Sequence, residues 1–203
     1  MKDSKLAIFF LGPPGAGKDT QAELLAKKLN LELLSSGDIV RHNLKQNSVL
    51  QKMYDAGKLM PPQVMTQWTK QAIDLNKSFV FSGALRTLLE TKELTSFLRE
   101  NGYKIKVFHI QISPEETLKR NLLRARDIID TEEKIKERLK VYEKQTKPVL
   151  GFLADKVIQI NGEQSIENVH KDICHAGGWK NSGTNNGAAC TACQARCPFA
   201  RIK

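Results

Sequence analysis

Residues 12–20 read Gly12-Pro13-Pro14-Gly15-Ala16-Gly17-Lys18-Asp19-Thr20, and they restrict the fold more than any other stretch of the chain. An apolar run, residues 6–11, comes before them and is short enough for a buried strand. Behind them Ala22, Leu25, Ala26 and Leu29 recur at helical spacing. Strand, glycine-rich turn, lysine and helix in that order make the phosphate-binding P-loop pattern. The glycines let backbone N–H groups converge on phosphate oxygens, and the helix N-terminus adds a favourable dipole. Lys18 adds a mobile positive charge for the β- and γ-phosphates. Gly15, Ala16, Gly17, Lys18, Asp19 and Thr20 are therefore the expected phosphate cradle. The bland alternative, a turn before an ordinary helix, does not account for so full a match of context.

Four further apolar runs are expected as strands, at residues 31–34, 78–81, 106–112 and 156–160. Helical patterns lie between them, as in a parallel sheet covered by helices on both faces, an α/β class of fold. Ser113-Pro-Glu-Glu116 is a capping box with proline at the first helical position, so a helix starts there and runs towards Arg124. Ser165 opens a last regular helix that reaches about Ile173, and residues 177–187 have the composition of a disordered tail. A chain of 203 residues fits one domain with an ample core. No apolar run is long enough to span a membrane, and the first five residues are too polar to open a signal peptide. A cytoplasmic location is the expectation. The net charge of +10 suits anionic ligands, although Lys180, Arg196, Arg201 and Lys203 supply four of those charges in a stretch with no acidic residue. Basic residues interleaved with aromatics are missing, so a nucleic-acid partner is not expected.

Five segments, in order from about residue 6 to residue 173, resemble the adenylate kinase branch of the nucleoside monophosphate kinases. The loop Gly12–Gln21 is similar to the family's form, in which one residue separates lysine from threonine. Leu34-Ser-Ser-Gly-Asp-Ile-Val-Arg41 resembles the segment that receives the acceptor monophosphate. Gly57-Lys-Leu-Met60 resembles the stretch that flanks the acceptor base, and Ser82-Gly-Ala-Leu-Arg-Thr87 the family's Asp-Gly-Phe-Pro-Arg-Thr. Lys136-Glu-Arg-Leu-Lys-Val-Tyr142 resembles the helix whose arginine bridges the two substrates.

The resemblance implies a three-layer P-loop NTPase fold: a five-stranded parallel sheet with a helical acceptor-binding insertion at about residues 36–65. It places the kinase domain at residues 1–175, a vestigial lid at about 124–130 and a tail at 176–203. The implied reaction is ATP + NMP ⇌ ADP + NDP, with magnesium and with AMP as the first expectation, in a monomer. Lys18, Arg86, Arg124 and Arg138 would be catalytic. ATP would rest on residues 15–20, Arg120, Arg124 and Gln164, its adenine between Arg120 and the backbone near Gly162. The monophosphate would meet Ser36, Arg41, Lys58, Leu59, Met60, Gly83, Arg86, Glu90, Arg126 and Arg138. The physical logic agrees, because phosphoryl transfer needs two polyanions held in line and cations where charge is shared. Arginine suits this, since its planar fork grips phosphate oxygens in pairs.

Several positions depart from the family pattern. Arg120-Asn-Leu-Leu-Arg124 has the spacing that precedes a lid, yet residues 125–130 run directly towards the Arg138 helix. A short lid shields the transferring phosphoryl less from water. Ser82 stands where the family has an aspartate that holds water on magnesium, and Asp19 stands where it usually has glycine. Asp19 is thus expected to supply the missing charge to the metal; favouring the helix N-terminus is its alternative role. Asp38 is open to a helix N-cap or a metal role. Ala84 and Leu85 replace an aromatic residue and a proline. Glu90 replaces a base-reading glutamine: it either favours guanine, whose two adjacent donors suit a carboxylate, or points to solvent from a helix starting near Thr87. Cys190, Cys193 and Cys197 have metal-ligand spacing, with Cys174 or His175 as a fourth ligand, but a tail without a metal is the stronger expectation. The rivals are a GMP- or UMP/CMP-directed kinase and a nucleotide-binding protein of this fold with little transfer activity.

Overall fold

The computed structural model describes residues 5–44, 48–55, 60–124 and 131–179. Five strands, β1 (Lys5–Leu11), β2 (Glu32–Ser35), β3 (Phe79–Ser82), β4 (Tyr103–Gln111) and β5 (Val157–Asn161), form one sheet in the order β2-β3-β1-β4-β5. All pairings are parallel, with Ala7 opposite Phe79 and Ile105. The central strands β1 and β3 are almost wholly apolar because helices cover both faces.

The two-residue period of β1 divides the core. Ala7, Phe9 and Leu11 join Phe79, Phe81 and Val107 on one face. They pack under α2 (Ser36–Asn43), α4 (Pro62–Ala72), α5 (Leu88–Glu100) and α8 (Lys147–Phe152), through Ile39, Met65, Leu94 and Val149. Ile8 and Phe10 join Val80, Phe108 and Ile110 on the other, under α1 (Lys18–Leu29) and α9 (Ile166–Gly177), through Leu25 and Ile173. Three layers result. The helix α3 (Ser48–Asp55) lies between α2 and α4 in the chain. The capping box opens α6 (Pro114–Arg124), with the Glu116 amide donating to the Ser113 hydroxyl at 3.2 Å. After residues 125–130, which lie outside the described part, come α7 (Glu132–Val141) and a π-helical turn, Tyr142–Thr146.

Two boundaries differ from expectation. The fourth strand begins at Tyr103, not Lys106, because lysines alternate with Tyr103 and Ile105 and hide the strand from a search for apolar runs. The last helix runs to Gly177, four residues beyond Ile173. Gly178 ends it in the left-handed conformation at φ 79°, and Trp179 then folds back on Phe108, ring centroids 6.0 Å apart. A tail starting at 176 or 177 is therefore corrected: glycines that suggest disorder by composition are here a helix stop. Residues 180–203, with Cys190, Cys193 and Cys197, lie outside the described part. Cys174 is buried, its Sγ 3.5 Å from His170 Nε2. No described helix is long and apolar enough to cross a membrane.

Candidate active site

The chain leaves β1 towards β2 on one side of the sheet and leaves β3 towards β4 on the other, so a crevice opens at the carboxyl ends of the central strands. Three loops meet there: the one after β1, the β2–α2 junction and the one after β3.

The first is shaped by its glycines. At Gly12 a Cβ would stand 2.4 Å from the Ile110 carbonyl oxygen, and at Gly15 one would stand 2.6 Å from Asn121 Nδ2. Gly15 and Gly17 have φ of 79° and 83°, and Gly17 opens α1. Lys18 Nζ donates to the carbonyls of Gly12 at 2.9 Å and Pro13 at 2.8 Å, so the ammonium lies across its own loop. Asp19 stands in the first turn of α1, and the Ser82 hydroxyl donates to its Oδ1 at 2.5 Å. The two departures from the family pattern thus touch each other across 63 positions of chain.

The third loop presents Arg86. Its Nε donates to the Gly83 carbonyl at 2.6 Å and its Nη2 to Ser36 Oγ at 3.1 Å. Gly83 has φ 79°, and a Cβ there would crowd Ser36 Oγ at 2.7 Å and Arg86 Nη2 at 2.9 Å. Burial lowers the Arg86 pKa, Glu90, Asp19 and Tyr54 oppose that, and Arg138 adds to it. Asp19 and Arg138 therefore act on the same guanidinium. The second loop carries Ser36, buried at the head of α2, and Arg41 one turn on. Arg41 pairs with Asp38 at 2.6 Å and donates to the Tyr54 hydroxyl at 3.5 Å, both carried by exposed side chains. The Asp38 bond raises the Arg41 pKa. Ser35, not Asp38, is the N-cap of α2, which corrects one expectation for Asp38.

Glu90 corrects another. It is 2% exposed, so it does not point to solvent. Its Oε1 accepts the Leu85 amide at 2.9 Å and its Oε2 the Arg86 amide at 3.0 Å, which occupies the carboxylate with backbone rather than leaving it to a base. Thr87 caps the same helix, accepting the Glu90 amide at 3.2 Å.

On the donor side Arg120 reaches Glu116 Oε1 at 2.6 Å and the Gly162 carbonyl at 2.9 Å. Gln164 is half-buried, and its Nε2 donates to Asp172 Oδ2 at 2.7 Å and to the Asn161 carbonyl at 3.1 Å. Arg124 ends α6, and Arg138 is half-buried in α7. Met60 is buried in the core, while Lys58, Leu59 and Arg126 lie outside the described residues.

Two features were not expected from the sequence. Tyr54 places its hydroxyl on Arg41 at 3.5 Å and lies near Arg86, although nothing in its local sequence distinguishes it. His109, in the middle of an apolar strand, bonds Gln159 Oε1 through Nδ1 at 2.6 Å and the Tyr142 hydroxyl through Nε2 at 2.7 Å. Burial and the Lys18 charge lower the His109 pKa, and burial pushes Tyr142 up to about 12. A histidine interrupting a buried strand was the available signal.

Among the described residues no three His, Cys, Asp or Glu side chains cluster as a metal cage. Asp19 and Ser82 nevertheless offer hard oxygens beside the phosphate loop. Such a donor set fits magnesium, which takes one or two carboxylates and leaves its other positions to phosphates and water.

A family model described as adenylate kinase matches residues 10–158. An adenylate kinase of Corynebacterium urealyticum is 34% identical, with 81% of this chain and 94% of that protein covered. One of Kocuria rhizophila is 35% identical, with 83% and 97% covered. For one of Clostridium novyi the identity is 29% over 210 positions that cover 83% of this chain and 96% of that protein. That alignment has more positions than this chain has residues, so the clostridial protein carries inserted residues that this one lacks.

Proposed function

This chain belongs to the adenylate kinase family of ATP-dependent phosphotransferases, using ATP and Mg2+, and we propose that its reaction is ATP + AMP ⇌ 2 ADP. The observation that carries this reading is the convergence of three loops on one crevice: Ser82–Asp19 joins the third loop to the start of the helix after the first, and Arg86–Ser36 joins the third to the second. The donor triphosphate rests on residues 15–20, where N–H groups and a helix N-terminus face it. Arg86 and Arg41 take the acceptor phosphate. Arg138 is near enough for its positive charge to lower the Arg86 pKa, so two cations face the place where the transferred phosphoryl's charge would develop. When bound, magnesium neutralises the β- and γ-phosphates, and Asp19 holds it directly or through water. Lys18 leaves its loop carbonyls for the phosphates, which are the stronger acceptors. We place the protein in the cytoplasm, as a monomer.

A coupled assay of ADP formation with AMP, GMP, CMP, UMP and dTMP in turn tests the reaction. AMP is expected to be turned over fastest, and Lys18→Ala to lower kcat on the order of a hundredfold or more while the far-ultraviolet circular dichroism stays unchanged. No ADP with any acceptor, while ATP still binds, would instead make the chain a nucleotide-binding protein of this fold.

A further inference from the structure

Leu85 is the residue of the acceptor loop that should resist its own conformation. It has φ 59°, a left-handed backbone that branched side chains rarely adopt, and it is fully buried. Position 85 itself is neither glycine nor asparagine, the residues that adopt this conformation readily. What holds it is the next helix: Glu90 reaches back and takes the amides of Leu85 and Arg86, one on each carboxylate oxygen. Thr87 fixes Glu90 in turn by capping its amide, and Thr146 Oγ1 closes the far side by donating to the Arg86 carbonyl at 3.1 Å. The Arg86 backbone is held on both sides, and its side chain departs from that fixed point towards Gly83 and Ser36.

We infer that Glu90 is a positioning residue for Arg86: it clamps the left-handed Leu85 turn and so acts on the phosphate end of the acceptor, not on its base. The inference rests on the proposal that Arg86 holds the acceptor phosphate. It has a consequence for specificity. A carboxylate that is 2% exposed and bonded to two successive amides presents no oxygen to a base without releasing the loop, so base discrimination does not come from position 90. A carboxylate also suits this duty better than an amide would, because both oxygens accept and the charge strengthens each bond. Glutamine in its place would turn an N–H group towards an N–H group and leave a buried donor unsatisfied.

The test combines kinetics with the protein's own spectrum. Glu90→Gln should raise KM for AMP, GMP, CMP and UMP by one common factor, roughly tenfold from the loss of one buried bond, with KM for ATP unchanged. A change in the AMP-to-GMP preference ratio would overturn the inference, since it would mean that Glu90 reads the base. Unchanged acceptor KM values in Glu90→Gln, with those of Arg86→Ala raised, would also overturn it and leave the assignment of Arg86 standing. Unchanged acceptor KM in Arg86→Ala would remove that assignment and the inference with it. Should Glu90→Gln fail to fold, the wild-type enzyme decides by itself. Its Leu85 and Arg86 amide protons should lie downfield in 15N-resolved spectra and stay there as AMP is added. Upfield movement of both on adding AMP would show the carboxylate leaving the loop for the base.

Discussion

Asp19 and Ser82 show how much one contact can revise the meaning of two residues. Taken separately, each is a departure from the family pattern, one gaining a carboxylate and the other losing one. Side by side, with the Ser82 hydroxyl on Asp19 Oδ1, they read as one carboxylate moved across the same crevice. Asp19→Gly should therefore raise the Mg2+ concentration for half-maximal activity roughly tenfold or more, on the scale of a charge-assisted hydrogen bond. Adding Ser82→Asp should restore part of the loss. Calorimetric binding of a non-hydrolysable ATP analogue at graded Mg2+ provides a readout apart from turnover. Should Asp19→Gly bind and titrate like the parent, Asp19 merely favours the helix N-terminus, an effect under ~1 kcal/mol. The sequence made both positions visible because a motif fixes what each should be. It could not show their contact, nor that Glu90 turns back on its own loop. A residue in the first turn of a helix can face solvent, ligand or the entering backbone, and periodicity does not distinguish these.

Among the elements, β4 and the turn after α7 depend on each other more than spacing suggests. The π-helical turn brings the Tyr142 hydroxyl to His109, which Gln159 on β5 holds from the other side. With the Gln159 oxygen accepting, Nδ1 carries the proton and Nε2 accepts from the Tyr142 hydroxyl; a second proton would force that hydroxyl to turn and accept, and would put a charge in a buried place. The folded pKa lies below the ordinary value, through burial first, so the unfolded chain takes up the proton earlier as pH falls. Stability from this group is whole above about pH 6.5 and is lost as pH falls from there to the depressed folded pKa. The melting temperature should drop across that window, and His109→Gln should flatten the drop. An identical slope in the variant would assign the acid sensitivity elsewhere. The elements themselves were largely legible: a capping box marked α6, and apolar runs marked all five strands. The π turn was not, since one extra residue in a helix leaves no composition signal.

At the scale of the whole molecule, the sheet is closed on its two faces by different lengths of chain, and the second closure comes late. Among the described residues, Ile8, Phe10, Phe108 and Ile110 lie under two helices, α1 and α9. Trp179 extends that cover past the end of α9: its ring meets Phe108, Lys106 Nζ lies 5.0 Å above it, and its amide bonds the Cys174 carbonyl at 2.9 Å. Lys106 also donates to the Gly177 carbonyl at 2.6 Å, which ties the helix stop to the strand. Trp179→Ala removes a half-buried indole and should cost about 2 kcal/mol, below the range for a fully buried aromatic. For a chain of this size that is roughly 4–8 °C in melting temperature. Activity at 25 °C should not change, because Phe108 sits three residues before the carboxyl end of β4, away from the crevice. Ending the chain after Gly178 should reproduce the loss, whereas ending it after Trp179 should leave the melting temperature where it was. Equal stability of the two truncated chains would mean that Trp179 rests on the sheet without holding it, and the boundary of the folded unit would return to the end of α9.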